Sequence, residues 1–144
     1  MEVGCEFYAK ILDNIHDGVY FIGLDRSIGY WNRGAERLTG YKSAEVVGSR
    51  CQENILMHVD RHGKNLCLTS CPAWETIHDG KTRELGAFLH HKEGHRVPVM
   101  IRVSPVTDAS GQIIGAVEIF SDNSQMLAHF DKIETFKKWP CSIH

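Results

Sequence analysis

Three β-rich segments near the end of the chain, each separated from the next by a short polar turn, constrain the fold most strongly. They cover residues 83–91, 95–106 and 112–121, and the turns between them are residues 92–94 and 108–111. Connections this short join antiparallel neighbours, because a parallel crossover needs a dozen or more residues. The segments therefore predict a three-stranded antiparallel sheet.

A hairpin and a run of short helices precede that sheet. Residues 6–15 have a helical spacing of apolar side chains, and residues 19–22 and 28–31 form a predicted hairpin. Asn32 is a candidate N-cap for the next helix, and Gly40 permits the left-handed turn that ends it. The N-terminal part therefore adds two further strands.

The order of two strands, short helices and three strands predicts an α+β fold. A five-stranded antiparallel sheet with short helices packed on one face, and helical extensions at both ends, satisfies this order. We expect residues 1–16 to form an N-terminal helix or cap, residues 17–122 the domain itself, and residues 123–144 a C-terminal linker helix. A chain of 144 residues fits one such domain.

Composition narrows the range of functions. The formal net charge is −2, and the basic residues are scattered instead of forming the stripe that nucleic-acid binding requires. No apolar run approaches the roughly 18 residues that a membrane span needs. We therefore expect a cytoplasmic protein without a nucleic-acid partner or a membrane span, whose five cysteines are thiols or metal ligands.

Five stretches, in the right order, resemble the PAS domain family. They are DGVY at 17–20, YWNRGAERLTGY at 30–41, EVVG at 45–48, HKEGHRVPV at 91–99 and GQIIGAVEIFSD at 111–122. The resemblance covers about residues 7–122. It implies a sensory input domain, often dimeric, of the type found in histidine kinases, diguanylate cyclases and transcription regulators. The variant with these cysteines and histidines is most similar to input domains of cyclic-di-GMP signalling proteins.

The resemblance implies a module that binds a small ligand or cofactor in its core. Such a module relays the signal to an output domain or partner protein in cyclic-di-GMP or two-component signalling. A ligand-free dimerisation or protein-interaction module is the alternative, and a thiol redox switch is a third. The sequence contains no nucleophile elbow, phosphate-binding loop or His-Glu-x-x-His motif, so we do not expect an enzyme.

Cys51, His58, Cys67 and Cys71 form the group of residues best suited to metal chemistry. Three thiols and an imidazole suit zinc or, with soft thiolates, an iron–sulfur cluster. Structural zinc sites usually have two closely spaced ligand pairs, whereas here only Cys67 and Cys71 form such a pair. The alternatives are buried thiols without a ligand role, and a disulfide switch of Cys67 with Cys71 or Cys51.

Inward-facing residues of the strands form the predicted ligand pocket. One alternating set of strand positions consists of Tyr20, Ile22, Phe88, His90, Ile101 and Val117. The same residues also suit a plain hydrophobic core. Covalent haem is excluded because no Cys-x-x-Cys-His motif is present, and non-covalent haem and flavin rank below a metal or iron–sulfur cluster. The cofactor therefore stays open.

Histidines also cluster at the turn between the first two of the three C-terminal segments. His90 and His91 are adjacent on a strand, so their side chains point to opposite faces and cannot bind one ion together. His95 begins the next strand and could pair across the hairpin. Half-exposed or hydrogen-bonded surface histidines are the more ordinary interpretation.

Overall fold

A computed structural model describes residues 4–50, 58–60, 62–66 and 71–124. In chain order the elements are α1 Cys5–Asp13, β1 Gly18–Gly23, β2 Ile28–Trp31, α2 Arg33–Thr39, α3 Ser43–Val46, α4 Pro72–Asp79, β3 Arg83–His90, β4 Arg96–Thr107 and β5 Ile113–Asp122. Residues 125–144, most of the predicted linker helix, lie outside the described part of the chain. No helix among the described residues is long and apolar enough to cross a membrane.

The described strands form one antiparallel sheet in the order β2-β1-β5-β4-β3. The last strand of the chain therefore lies at the centre, between β1 and β4. This arrangement confirms the predicted five-stranded sheet and the α+β class. Close packing of the central strands requires Gly115, because a Cβ atom there would lie 2.2 Å from the carbonyl oxygen of Ile22.

The hydrophobic core lies between one face of the sheet and the helices. Helix α2 packs against β1, and α4 packs against β4 and β5. Tyr20 has its ring centroid 5.4 Å from that of Trp31 and 5.9 Å from that of Phe120. All three aromatic rings are almost completely buried. Burial of this apolar surface is the main driving force for folding.

The side chain of Asn32 joins four backbone segments in the interior. Its Oδ1 atom accepts hydrogen bonds from the backbone N–H groups of Val19 and Ala35, both at 2.8 Å. Its Nδ2 atom donates to the carbonyl oxygens of Leu12 at 2.9 Å and Asp17 at 3.1 Å. The predicted N-cap is therefore confirmed, and the same residue also ties α1 and β1 to α2.

Glycines follow the last residues of helices α2 and α4. Gly40 follows α2 with φ 79°, and Gly80 follows α4 with φ 73°, conformations that side-chain-bearing residues rarely adopt. Pro72 is the first residue of α4, where its missing N–H has no helical partner. The predicted end of α2 at Gly40 is confirmed.

We expect Asn32→Ala to lower the free energy of unfolding by about 3 kcal/mol, because it removes an N-cap and the side-chain partner of two buried N–H groups, those of Val19 and Ala35. Urea denaturation followed by circular dichroism measures the change. Asn14→Ala is the matched control, because the Asn14 side chain is exposed and donates one hydrogen bond, to the carbonyl oxygen of Lys10. Equal costs for the two substitutions would contradict the central role of Asn32.

Candidate functional site

The centre of the sheet carries a buried carboxyl group. Glu118 lies in the middle of β5 with 3% of its surface exposed, on the face that packs against the helices. Across the strands it is paired with Tyr20 of β1 and Val103 of β4, which are also buried. An acidic residue at such a position is unusual, because Glu is almost never fully buried unless it is paired.

A buried imidazole faces this carboxyl group from the helical side. His58 is 6% exposed and lies just before Val59, which pairs with the free edge of β3. Val59 and Phe88 exchange backbone hydrogen bonds of 2.8 and 2.9 Å, and the N–H of Leu66 donates to the carbonyl oxygen of His58 at 2.9 Å. These backbone bonds fix the position of the imidazole.

The two side chains approach each other without forming a good hydrogen bond. The Nε2 atom of His58 lies 3.5 Å from the Oε2 atom of Glu118, beyond the usual range of 2.7–3.2 Å. Within the described part of the chain, neither of these buried atoms has a hydrogen-bond partner. Leaving a buried polar atom unsatisfied costs about 1–3 kcal/mol. The pair therefore presents free hydrogen-bonding capacity inside an apolar core.

Burial determines the charge state of this pair. It raises the pKa of Glu118 to about 7, although a hydrogen bond from the Tyr20 side chain limits the rise. It lowers the pKa of His58 to about 4, and the positive charge of Arg96 acts in the same direction. Removing two charges from water costs several kcal/mol per ion, more than a contact of this length returns. Between these two pKa values both groups are therefore neutral.

A neutral pair of this kind can both donate and accept. The protonated carboxyl group has one O–H donor, and a neutral imidazole has one donor and one acceptor nitrogen. A small molecule with a hydroxyl, carbonyl or amide group would satisfy these atoms. We regard Glu118, His58 and Tyr20 as the candidate site and name them the interior polar cluster.

Two of the four predicted metal ligands lie in the described part of the chain. His58 belongs to the interior polar cluster, and Cys71 is a buried thiol immediately before α4. Cys51 and Cys67 lie outside the described residues. The four-ligand metal or iron–sulfur site therefore stays a prediction.

The predicted pocket residues divide into two groups. Tyr20, Ile22 and Ile101 are about 1% exposed and lie in the core. Val117 does not share that face, because it alternates along β5 with the buried Ala116 and Glu118.

The same correction applies to β3, where Phe88 and His90 alternate with the buried Ala87 and Leu89. His90 instead lies with its Nδ1 atom 3.2 Å from the hydroxyl group of Tyr41. The physical reason is that both strands carry apolar side chains at odd and even positions. Their hydrophobic pattern therefore does not fix which set faces inward.

Sequence reasoning did not select Glu118. A usable signal was present, since it is the one charged residue in the run from 112 to 121. A charged residue in the middle of a strand that is apolar on both faces is expected at a solvated position or at a functional one. The sequence around Glu118 does not show which face of the strand is buried. Its partner His58 lies far away in the chain, so the pair could not be assigned.

The five-stranded antiparallel sheet with short helices on one face defines a PAS-like α+β fold. The sequence profile described as "PAS domain" matches residues 16–125. The chain therefore belongs to the PAS domain family, as the resemblance implied. No curated protein matches the sequence.

Solved structures of low sequence identity share the fold. The chain is similar to the PAS domain of a protein from Colwellia psychrerythraea, with 23% identity, a TM-score of 0.66 and coverage of 81% of this chain and 94% of that one. An RNA-binding Light-Oxygen-Voltage receptor gives 19% identity, a TM-score of 0.73 and coverage of 93% and 37%. The Vibrio cholera VqmA–ligand–DNA complex gives 14% identity, a TM-score of 0.67 and coverage of 93% and 59%. The chain thus spans less than two thirds of the last two proteins.

The raised pKa of Glu118 predicts a pH-dependent stability. The pKa of this carboxyl group is about 7 in the folded protein and 4.5 in the unfolded chain. Its contribution to stability is therefore complete below pH 4.5 and is lost as the pH rises through about 7. Glu118→Gln keeps a neutral side chain at every pH. We therefore expect the stability of the variant relative to wild type to rise by on the order of 3 kcal/mol between pH 5 and pH 8.

Urea denaturation at a series of pH values measures this difference. His58 is common to both proteins, so its opposite contribution, which is lost as the pH falls from 6.5 toward 4, cancels in the comparison. Glu84→Gln is the matched control, because Glu84 is an exposed residue of β3 that pairs with Arg102. The raised pKa would be contradicted if the stability of Glu118→Gln relative to wild type changed with pH no more than that of Glu84→Gln.

Proposed function

We propose that this domain is a sensor that binds a small neutral polar molecule at the interior polar cluster and relays its presence to a partner or output domain. The observation that carries the proposal is the facing pair of buried atoms, Glu118 Oε2 and His58 Nε2, which have no hydrogen-bond partner among the described residues. Buried polar atoms in native proteins are nearly always paired. A bound polar molecule would supply the missing partners.

The charge state of the cluster indicates the class of ligand. A protonated Glu118 can donate a hydrogen bond to a carbonyl or hydroxyl oxygen, and neutral His58 can donate or accept. An anionic ligand would lie against an acid that must stay protonated, and it would gain no counter-charge from a neutral imidazole. A neutral molecule with hydroxyl, carbonyl or amide groups is therefore the best match.

Membership of the PAS domain family supports a sensory role. One structurally similar protein, VqmA, has been solved as a VqmA–ligand–DNA complex, which shows that a protein containing this fold can bind a ligand. The proposal involves binding without turnover. The relay to an output domain is the second part of the proposal. Cyclic-di-GMP or two-component signalling is the context that the resemblance implies for this relay.

The positions of the two groups suggest how the signal would travel. Glu118 lies on β5, which ends at Asp122, and the chain then enters the predicted linker segment. Val59, the residue after His58, pairs with β3, the strand at one edge of the sheet. A ligand that bridges Glu118 and His58 would therefore join the centre of the sheet to its edge and to the strand that leads out of the domain.

The first helix supports the homodimer that the resemblance implies. Helix α1 buries none of its residues, and its apolar side chains Phe7, Tyr8 and Ile11 are 53%, 56% and 47% exposed. Apolar residues concentrated on one helix are expected to be covered by another surface. We propose that a second copy of the chain covers them, and that the relay acts between the two copies.

Glu118→Met tests the proposed ligand site. Replacing a buried polar group by an apolar one of similar volume often preserves or increases stability, so the variant is expected to fold. In wild type at pH 6.5 we expect one or more neutral hydroxyl- or amide-bearing compounds from a screening panel to raise Tm by roughly 5–10 °C near saturation. This increase should be absent in Glu118→Met and retained in the exposed control Glu84→Met.

Native mass spectrometry of the tag-free protein checks the same proposal independently of the panel. We expect a small molecule to co-purify with wild type and not with Glu118→Met. Equal stabilisation of both proteins would contradict the assigned site. A wild type that carries no small molecule and responds to no compound, but dimerises with concentration, would favour the ligand-free interaction module instead.

A further inference from the structure

The hairpin between β3 and β4 brings three metal-ligating side chains together. They are His91, Glu93 and His95, and one ligand atom of each lies within 4.8 Å of the other two. In the described part of the chain this is the one group of three histidine, cysteine or acidic residues so arranged. Glu93 and His95 are exposed and His91 is half-buried, so an ion can reach all three.

The backbone of the turn holds the two histidines opposite each other. The N–H of His91 donates to the carbonyl oxygen of His95 at 2.9 Å, and Gly94, with φ 102°, closes the turn with its N–H on the carbonyl oxygen of His91. The imidazole rings stack with their centroids 4.2 Å apart and an interplanar angle of 17°. Nitrogen lone pairs lie in the ring planes, so one of the stacked rings must rotate about its side-chain bonds before both can bind the same ion.

The hairpin is also anchored to the helical layer. The N–H of Lys92 donates to the carbonyl oxygen of Thr39 at 2.8 Å. The ring of His91 occupies the space beside Gly40, where a Cβ atom would lie 2.6 Å from the ring Cε1. Two of the contacts that fix the hairpin and the ring of His91 therefore come from the end of α2.

Charged side chains of both signs surround the site. The ammonium group of Lys92 forms an ion pair with Glu45 of α3. Arg37 and Arg96 line the shallow cavity beside the two histidines, and Asp122 lines the same cavity. This mixed border favours water or an anion in the coordination positions that the protein does not fill.

We propose that His91, Glu93 and His95 bind a divalent transition-metal ion, with zinc as the best match. Two imidazoles and one carboxylate are a common three-ligand set for zinc, and water completes the coordination. The Nδ1 atom of His91 already directs its lone pair into the turn, where it accepts a hydrogen bond of 3.0 Å from the N–H of Glu93. An ion that binds there replaces this hydrogen bond. The site is separate from the interior polar cluster and does not depend on the proposed ligand.

Calorimetric titration of the metal-free, tag-free protein with zinc chloride tests the site. We expect one binding event that His95→Ala and Glu93→Gln each weaken at least tenfold, since loss of a ligand costs no less than loss of an outer-shell partner. His78→Ala, at an exposed histidine of α4, should leave the event unchanged. Circular dichroism verifies that each variant is folded.

Two further measurements separate this site from the predicted cysteine site. Cys67→Ser should retain the event, and cobalt(II) should selectively broaden the NMR signals of residues 91–95. An event that persists in His95→Ala, or that disappears in Cys67→Ser alone, would overturn the proposal. A single event abolished by His95→Ala and retained in Cys67→Ser would support it.

Discussion

The hydrogen bonds of Asn32 are the constraint on which the rest of the domain depends. One buried amide pairs with backbone groups of α1, of the loop before β1, of β1 itself and of α2. These groups belong to segments that have no regular ladder between them, and without Asn32 the buried N–H groups of Val19 and Ala35 would lose this partner. Because β1 lies next to β5, the same bonds also fix the helical layer above Glu118.

The interior polar cluster is the opposite case, since two of its buried atoms have no hydrogen-bond partner among the described residues. The polar side chains that hold the fold, such as Asn32 and Thr39, have their hydrogen bonds inside the protein. Glu118 and His58 each keep a buried atom that no described residue pairs, at a cost in stability that apolar side chains would avoid. Unfavourable local features of this kind concentrate at functional sites. This contrast is the physical basis for assigning function to the pair.

The sequence predicts the architecture better than the site. Short turns and the helix-capping residues Asn32 and Gly40 act locally, so the strands, their antiparallel pairing and the ends of α2 could be inferred. The inward face of β5 could not, because Val117 and Ile119 are as apolar as Ala116 and Phe120, and the phase depends on tertiary packing. The contact of Glu118 with His58 joins residues far apart in the chain, which no local pattern encodes. The cysteine site stays a prediction, because Cys51 and Cys67 lie outside the described residues.

The protonation state of His58 tests the central claim most directly. Long-range ¹H–¹⁵N NMR correlations of the imidazole distinguish the neutral ring from the imidazolium, and the spectra of His58→Gln assign the signal. A neutral interior polar cluster predicts that His58 remains neutral at pH 6 and becomes protonated only as the pH approaches about 4. A His58 ring that is already an imidazolium at pH 6 would mean that the cluster is a buried ion pair, and would contradict the proposed recognition of a neutral ligand.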